Sequence, residues 1–564
     1  MTASRKYPIG IQTFSEIITK GYLYIDKTHL MWHLVNVSKY VFLSRPRRFG
    51  KSLLASTLES YYRAEKSLFE GLKIMQLETE WQPHPVIHLD LSLAKNQAST
   101  QRLEEKLYYI LEPYVKLYGK SPLETTPGSL FHGLITRAFQ QSGQQVAVII
   151  DEYDAPLLDT LHTGPLLDDF RRVMQDLFQP LKACEPMIHS CFITGITKFS
   201  QLSIFSTINN ISNVTLDPAF ATICGITQQE VDDNMPDDVE HLAATYGCSP
   251  SEMRGRLQET YDGYHFSESS PGVYNPFSLM KAFNQQKLGN YWFESGTPTF
   301  LLRQMHHYKT DITQLDMQQV SSEAFDQPTE GMRDALPLLY QSGYLTIKGY
   351  DREADEYTLG LPNKEVRQGL AKGLLASYSN LNAEDVRRGF ALRFWQALKT
   401  DDINLALTEL RSYLAGLPYV EGFKDKLHDV ATAEGFYEWT FYLILSMLNI
   451  YVLTQVKCIR GRIDMLVYMP HTIYVMEIKL NRTAAEALRQ IDDRGYALPY
   501  ATEGRRVVKV GINFDTATRT LTDWQIIKTT DSSAENKTTD LSLRLQRDCV
   551  ATATHKQNIM KIFA

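Results

Sequence analysis

Three ionisable side chains fall at a chemically suggestive spacing in GRIDMLVYMPHTIYVMEIKL (461–480): Asp464 in one β-rich arm, Glu477 and Lys479 in the next. Side chains alternate along a strand, so Glu477 and Lys479 share a face and Ile478 takes the other. With Met469-Pro470-His471-Thr472 as the turn, symmetric pairing sets Tyr468 opposite Ile473, Leu466 opposite Val475 and Asp464 opposite Glu477. Like charges directly opposite repel. Their neighbours are apolar, so two partly buried carboxylates must share a proton, pair with cations or hold a metal. Oxygen ligands of this kind suit Mg²⁺ or Mn²⁺. Lys479, on the same face, would activate a water or stabilise developing phosphate charge. The bland alternative is a structural ion-pair cluster with Lys479 and Arg462. Flanking helices extend the pattern. Glu434 starts the helix EGFYEWTFYLILSMLN, with Glu438 one turn on, and Gln490 lies in the following helix TAAEALRQIDDRGYALPY.

A second constellation is RPRRFGKSLL (45–54), between the strand KYVFLS and the helix SLLASTLESYY. It keeps the second glycine, lysine and serine of G-x-x-x-x-G-K-[ST], the Walker A pattern, with Arg45 in place of the first glycine. Gly50 would let the backbone approach phosphate, where the helix N-terminus favours an anion. Lys51 would neutralise the β- and γ-phosphates of ATP, Ser52 would place its hydroxyl on Mg²⁺, and Arg48 would join the nucleotide-binding loop. The altered first position changes the loop entrance. VAVIIDEYD (146–154) supplies a Walker B-type strand end, with Asp151 for the Mg²⁺ shell and Glu152 to polarise the attacking water. Taken alone, such acids are often a helix cap. In CFITGIT, Thr194 is a candidate γ-phosphate sensor, or a buried strand threonine. Arg47, Arg48, Arg254 and Arg256 are candidates for an arginine finger.

These groups need scaffolds. A chain of 564 residues exceeds one ordinary domain, and ~150 residues per domain suggests three or four units. Residues 1–225 alternate short apolar strands with amphipathic helices, an α/β pattern. Residues 226–300 are helical and polar. Residues 301–420 carry helices and a β-rich piece, ALPLLYQSGYLTI with YTLGLPNKEVR, similar to a helix with a wing hairpin. Residues 421–528 return to α/β order, and 529–564 form a polar linker and tail.

Hydrophobic content is 43% and charged content 22%, ordinary for globular chains. Net charge −7 argues against a global basic field for coating nucleic acid, though not against a local groove. The six cysteines show no CxxC pair, which speaks against a zinc site or a disulfide framework. No apolar signal-peptide core opens the chain, and no run approaches ~18 apolar residues. The expectation is a cytoplasmic protein without a membrane partner.

Together, YPIGIQTFSEIITKGYLYIDKT, RPRRFGKSLL, IIDEYDAPL, FITGITKFS, YDGYHFS, VYNPFSL, GRIDMLVY, VMEIKL and VGINFD resemble bacterial proteins joining an AAA-ATPase-like domain to a C-terminal PD-(D/E)XK nuclease domain. The resemblance spans about residues 6–525. It implies a P-loop NTPase core (1–225) with a helical lid (226–300) and a restriction-endonuclease-like α/β domain (421–528), to which the residue pattern of 301–420 adds a winged-helix-like middle region. It implies an ATPase core of Lys51, Ser52, Asp151 and Glu152. It implies a nuclease core of Glu434, Asp464, Glu477 and Lys479, with Gln490 in support. The expected cofactors are ATP and Mg²⁺, with Mn²⁺ an option at the nuclease site. The expected partner is nucleic acid, DNA ahead of RNA, and a homo-oligomer is left open. The competing reading is a nucleotide-dependent switch whose nuclease fold is inactive.

Overall fold

The computed structural model describes residues 5–158, 160, 164–197, 211–295, 301, 304–305, 308, 310, 315–325, 334–379, 390–415, 441–442, 444–446, 451–515, 518 and 520–528. The chain divides into two compact units. The first comprises Met1–Thr310 with Leu315–Val366, and the second Asp311–Gln314 with Arg367–Ala564.

The first unit is built on a parallel five-stranded sheet. Its strands are β1 (Tyr40–Ser44), β2 (Val86–Asp90), β3 (Val146–Asp151), β4 (Ile188–Gly195) and β5 (Ile211–Asn213), in the order β2-β3-β4-β1-β5. β1 and β3 are buried at every position, as continuous apolar strands covered on both faces must be. Ligands of open parallel sheets bind beyond the carboxyl ends of the strands. Here those ends carry Ser44–Arg45, Asp90, Asp151 and Gly195.

A mostly helical segment follows. β6 (Ile226–Thr227) pairs with β7 (Val273–Tyr274). The helices Pro236–Tyr246, Pro250–Tyr261 and Pro276–Gln285 each begin with proline at the first position, where its missing N–H costs nothing. They bury Val239, Leu242, Leu257, Leu279 and Phe283 in one cluster. The YIDKT stretch ties this helical segment to the core. Asp26 accepts from the Thr28 N–H (2.9 Å) and the Lys73 N–H (2.7 Å), and Lys27 pairs with Glu230. β8 (Gln318–Ser321), β9 (Thr346–Asp351) and β10 (Glu356–Gly360) form a three-stranded antiparallel sheet in the order β8-β10-β9, with the helix Leu336–Gln341 between β8 and β9 in the chain.

The second unit holds β11 (Tyr451–Cys458), β12 (Gly461–Tyr468), β13 (Thr472–Leu480), β14 (Arg506–Asp515) and β15 (Thr520–Lys528), in that spatial order. β13 and β14 run parallel and the other pairs antiparallel. A parallel pair needs a crossover, and the helix Ala484–Arg494 supplies it. The boundary between units falls after Val366, inside the stretch expected to be a separate middle region. The helices Phe390–Lys399 and Ile403–Ala415 belong with the second sheet for a physical reason. Trp524 Nε1 donates to Asn404 at 2.7 Å, the Arg411 guanidinium stacks over Trp524, and Asp401 pairs with Arg506. Among the described residues, no helix is long and apolar enough to cross a membrane.

Candidate functional site

In the first unit the loop after β1 turns sharply. Arg48 (φ 69°) and Gly50 (φ 93°) both adopt left-handed backbone, a conformation that costs a non-glycine residue such as Arg48 about 1 kcal/mol or more. Gly50 opens the helix Lys51–Tyr62, whose N-terminus has no side-chain cap, so its first amides are available to an anion. Lys51 is buried and donates from Nζ to the Pro46 carbonyl across the loop at 3.1 Å. Burial holds its ammonium below the usual lysine range, against the pull of Asp151, Glu152 and Asp154. Burial raises the Asp151 carboxyl, with Ser52 and Lys51 pulling it the other way. Glu152, itself left-handed at φ 50°, meets Lys95 Nζ at 3.3 Å. Arg48, Gly50, Lys51, Ser52, Lys95 and Glu152 border a cleft of about 470 Å³, whereas Asp151 lies buried behind them and outside its lining.

Arg45 does not face this cleft. It is 1% exposed, and its guanidinium donates to the carbonyls of Ser44 (2.8 Å), Thr215 (2.8 Å) and Phe220 (2.9 Å) while stacking over Phe266. The residue standing for the first glycine is an internal tie between β1 and the segment after β5. YDGYHFS supplies its platform, because Tyr264 and Phe266 also clamp Phe49 edge-on. Thr194 likewise turns inward. It is fully buried, and its hydroxyl donates to the Leu43 carbonyl at 2.7 Å. The cleft is bordered instead by Ile196 from that segment. Of the finger candidates, Arg47 and Arg48 line the cleft, whereas Arg254 pairs with Asp232 at 2.8 Å.

Two residues here escaped the sequence reading. Lys95 follows β2 in an unremarkable SLAKN and reaches Glu152 only through the fold. Asp154 ends the DEYD run. Its Oδ2 accepts from Ile196 N–H (3.1 Å), Thr197 N–H (2.7 Å) and Thr197 Oγ1 (2.6 Å) and so fixes the turn after β4. The third acid of DEYD was the available signal.

In the second unit the hairpin register is the expected one, with Tyr468 opposite Ile473 and Leu466 opposite Val475. The β12–β13 ladder stops at Met465 and Met476. One step further Asp464 and Glu477 stand opposite, and the Ile478 N–H donates to Asp464 Oδ2 at 2.8 Å, so a side chain replaces the missing backbone acceptor. The ladder to β11 also skips Asp464. Thr454 pairs with Met465 and Val456 with Ile463, while Gln455 between them is left-handed at φ 52°. Asp464 thus sits where the sheet opens on both sides. Gln455, in register with it, had no sequence signal, because a lone glutamine in a strand does not announce its dihedral.

Glu477 is 1% exposed and Lys479 Nζ lies 2.8 Å from its Oε1. Its Oε2 has no hydrogen-bond partner among the described residues. Burial, then the Asp464 charge, push the Glu477 carboxyl up to about 8, with Lys479 pulling the other way. Gly511 pairs with Glu477 on β14, and a Cβ there would come within 2.3 Å of the Ala484 carbonyl. Its bareness lets the crossover helix lie close over this face. Gln490 is half-buried on that helix. Glu434 and Glu438 lie outside the described residues. Among the described residues no group of three or more potential metal-binding side chains occurs. What the face offers is two converging carboxylates, one with a buried unpartnered oxygen. Such a donor set fits a hard divalent cation.

Residues 8–205 match the family described as Predicted AAA-ATPase, and residues 432–524 match the PD-(D/E)XK nuclease superfamily. The chain is 30% identical over 522 residues, 92% of its own length, to an Azotobacter chroococcum mcd 1 protein described as an uncharacterized protein in the vnfD 5' region, of which 98% is covered. With two family matches in this order and a relative aligned nearly end to end, the chain belongs to the family that joins an AAA-ATPase-like domain to a C-terminal PD-(D/E)XK nuclease superfamily domain.

Proposed function

We propose that the first unit binds and hydrolyses ATP with Mg²⁺, and that its nucleotide state controls a Mg²⁺-dependent nuclease in the second unit. The observation that carries the nuclease half is Glu477, a buried carboxylate beside Asp464, with one oxygen on Lys479 and the other without a hydrogen-bond partner among the described residues. An uncompensated buried acid is costly, and a cation between the two carboxylates removes that cost. Asp464 and Glu477 would hold the metal, with Glu434 as a further candidate ligand. The ion, when bound, lowers the pKa of a water and neutralises phosphate charge. Lys479 contributes a charged group beside the attacked phosphodiester, where negative charge develops. Gln490 is proposed to orient the substrate or the lysine.

In the first unit Lys51 would exchange the Pro46 carbonyl for the nucleotide phosphates. Ser52 and Asp151 would hold Mg²⁺, and Glu152 would orient water once freed from Lys95. Control over the nuclease is supported by chain order. Ser342 and Tyr344 border the cleft, and the long stretch of the second unit begins soon after, at Arg367.

The competing reading, a nucleotide switch with an inactive nuclease fold, rests on the missing first glycine and on the acidic overall charge. Arg45 turned away from the cleft weakens the first of these motives. The deciding experiment incubates purified protein with plasmid DNA, RNA and Mg²⁺, with and without ATP. Cleavage that disappears in Asp464→Ala and Lys479→Ala supports the nuclease. Equal cleavage by wild type and both variants, or none by wild type on any substrate, ends it.

A further inference from the structure

The hairpin joining β11 to β12 ends in Ile459 and Arg460, both exposed, Ile459 by 74%. Across its last rungs Lys457 stands directly opposite Arg462, and Cys458 opposite Gly461. Like charges so placed repel, and Lys457, Arg460 and Arg462 are exposed with no acidic partner among the described residues. Arg494, the last residue of the crossover helix, donates from Nη1 to the Arg460 carbonyl at 2.8 Å and adds a fourth cation. The tip is pre-formed. The Arg462 N–H donates to the Tyr496 hydroxyl at 3.2 Å, and Gly461 (φ 149°) sits where a Cβ would come within 2.6 Å of that oxygen. In a chain of net charge −7, this local concentration of positive charge on an apolar tip goes against the overall balance.

Its position adds meaning. Arg462 and Asp464 are two residues apart on β12, hence on one face and roughly 7 Å apart. Lys457, opposite Arg462, shares that face. A backbone held by the tip therefore runs toward the carboxylate pair within one or two nucleotides.

We propose that this hairpin is a docking element for duplex DNA, an assignment whose substrate rests on the nuclease reading. The two-stranded ribbon enters the major groove. Lys457, Arg460, Arg462 and Arg494 contact phosphates, and Ile459 contacts base edges. The major groove of B-form DNA admits such a ribbon and presents thymine methyls to an aliphatic side chain. The deep, narrow major groove of duplex RNA admits neither.

The test uses the full chain in EDTA, so that binding is separated from cleavage, with a short labelled DNA duplex followed by anisotropy across salt concentrations. Four phosphate contacts give a log–log salt slope of about −3 to −4. Replacing Lys457, Arg460 and Arg462 with alanine together should weaken binding on the order of 10- to 100-fold and reduce that slope by about three. Ile459→Ser should weaken binding by about three- to tenfold with the slope unchanged. Arg460→Lys with Arg462→Lys keeps the slope, which guards against a general folding defect. Wild-type affinity and slope in the triple variant overturn the proposal, as does a wild type that does not bind DNA, or an equal loss on duplex RNA. A protein that binds through the tip yet never cleaves with Mg²⁺ keeps the docking element and removes the nuclease reading instead.

Discussion

The P-loop cleft and the carboxylate face both gather acids around a lysine, but their charges end differently. At the cleft Lys51 rests on the Pro46 carbonyl and Glu152 on Lys95. At the face Glu477 has Lys479 on one oxygen and no hydrogen-bond partner among the described residues on the other. The first arrangement is internally satisfied, so an incoming phosphate must replace existing bonds. That exchange is what a two-position device needs. On the proposed reading the second would take a cation, and a bound ion would relieve the like-charge repulsion between Asp464 and Glu477. One site is organised to change and the other to wait.

The largest effects should come from removing the lysines that distinguish the two. Lys479→Ala should lower Mg²⁺-dependent cleavage by about 10²–10³-fold with ATP hydrolysis retained, and Lys51→Ala should do the reverse to ATP turnover, by about 10²–10³-fold. Parallel plasmid-nicking and phosphate-release assays check this. Loss of both activities in both variants would mean the contrast is structural rather than chemical.

Next is Arg45. Restoring the consensus with Arg45→Gly should destabilise the first unit by about 3–5 kcal/mol rather than improve nucleotide binding, because three backbone carbonyls lose a buried donor. Calorimetry following the separate unfolding transitions of the chain reads this. A more stable Arg45→Gly protein would contradict the tie described here.

Glu477 should have a smaller, pH-dependent effect. Its folded-state pKa of about 8 lies above the ordinary 4.5, so over that interval the folded protein keeps a proton that the unfolded chain releases. Stability of the metal-free second unit should therefore fall as pH rises from about 4.5 to about 8, and Glu477→Gln should flatten that slope, with a gain on the order of 2 kcal/mol at the alkaline end. Denaturation in EDTA across pH measures it, and parallel profiles for the two proteins would refute it. The smallest effect should be that of Thr194→Val, which removes one buried hydroxyl bond. It should cost about 1 kcal/mol and leave ATP turnover within about threefold, since its hydroxyl serves Leu43 and not the cleft.

Pattern-borne features were legible in the sequence. The period-two alternation and four-residue turn of 461–480 fixed which residues oppose which, and the apolar runs before Arg45 and Asp151 located the two strands of the cleft. What stayed hidden depends on side-chain direction and on distant partners. Nothing in RPRRFGKS says that Arg45 points backward, because its acceptors at Thr215 and Phe220 are far along the chain. Lys95 and Glu152 meet only because β2 and β3 are neighbours. The unit boundary after Val366 was obscured because the helices Phe390–Lys399 and Ile403–Ala415 have the same amphipathic pattern as the elements before them.

One packing detail has a consequence for synthesis. Gly343, at φ 85°, lies so near the P-loop that a Cβ would come within 2.7 Å of Pro46, and its neighbours Ser342 and Tyr344 close the cleft wall. The phosphate loop leaves the ribosome long before this wall does. At about 5–20 residues per second, the interval between them is roughly 15–60 s. During that time a nascent chain carries Lys51 and Glu152 without the surface that completes their pocket. On the proposed reading, nucleotide capture would be deferred until nearly the whole first unit has emerged, and a nascent chain released before Tyr344 should bind no nucleotide even with the loop after β1 intact.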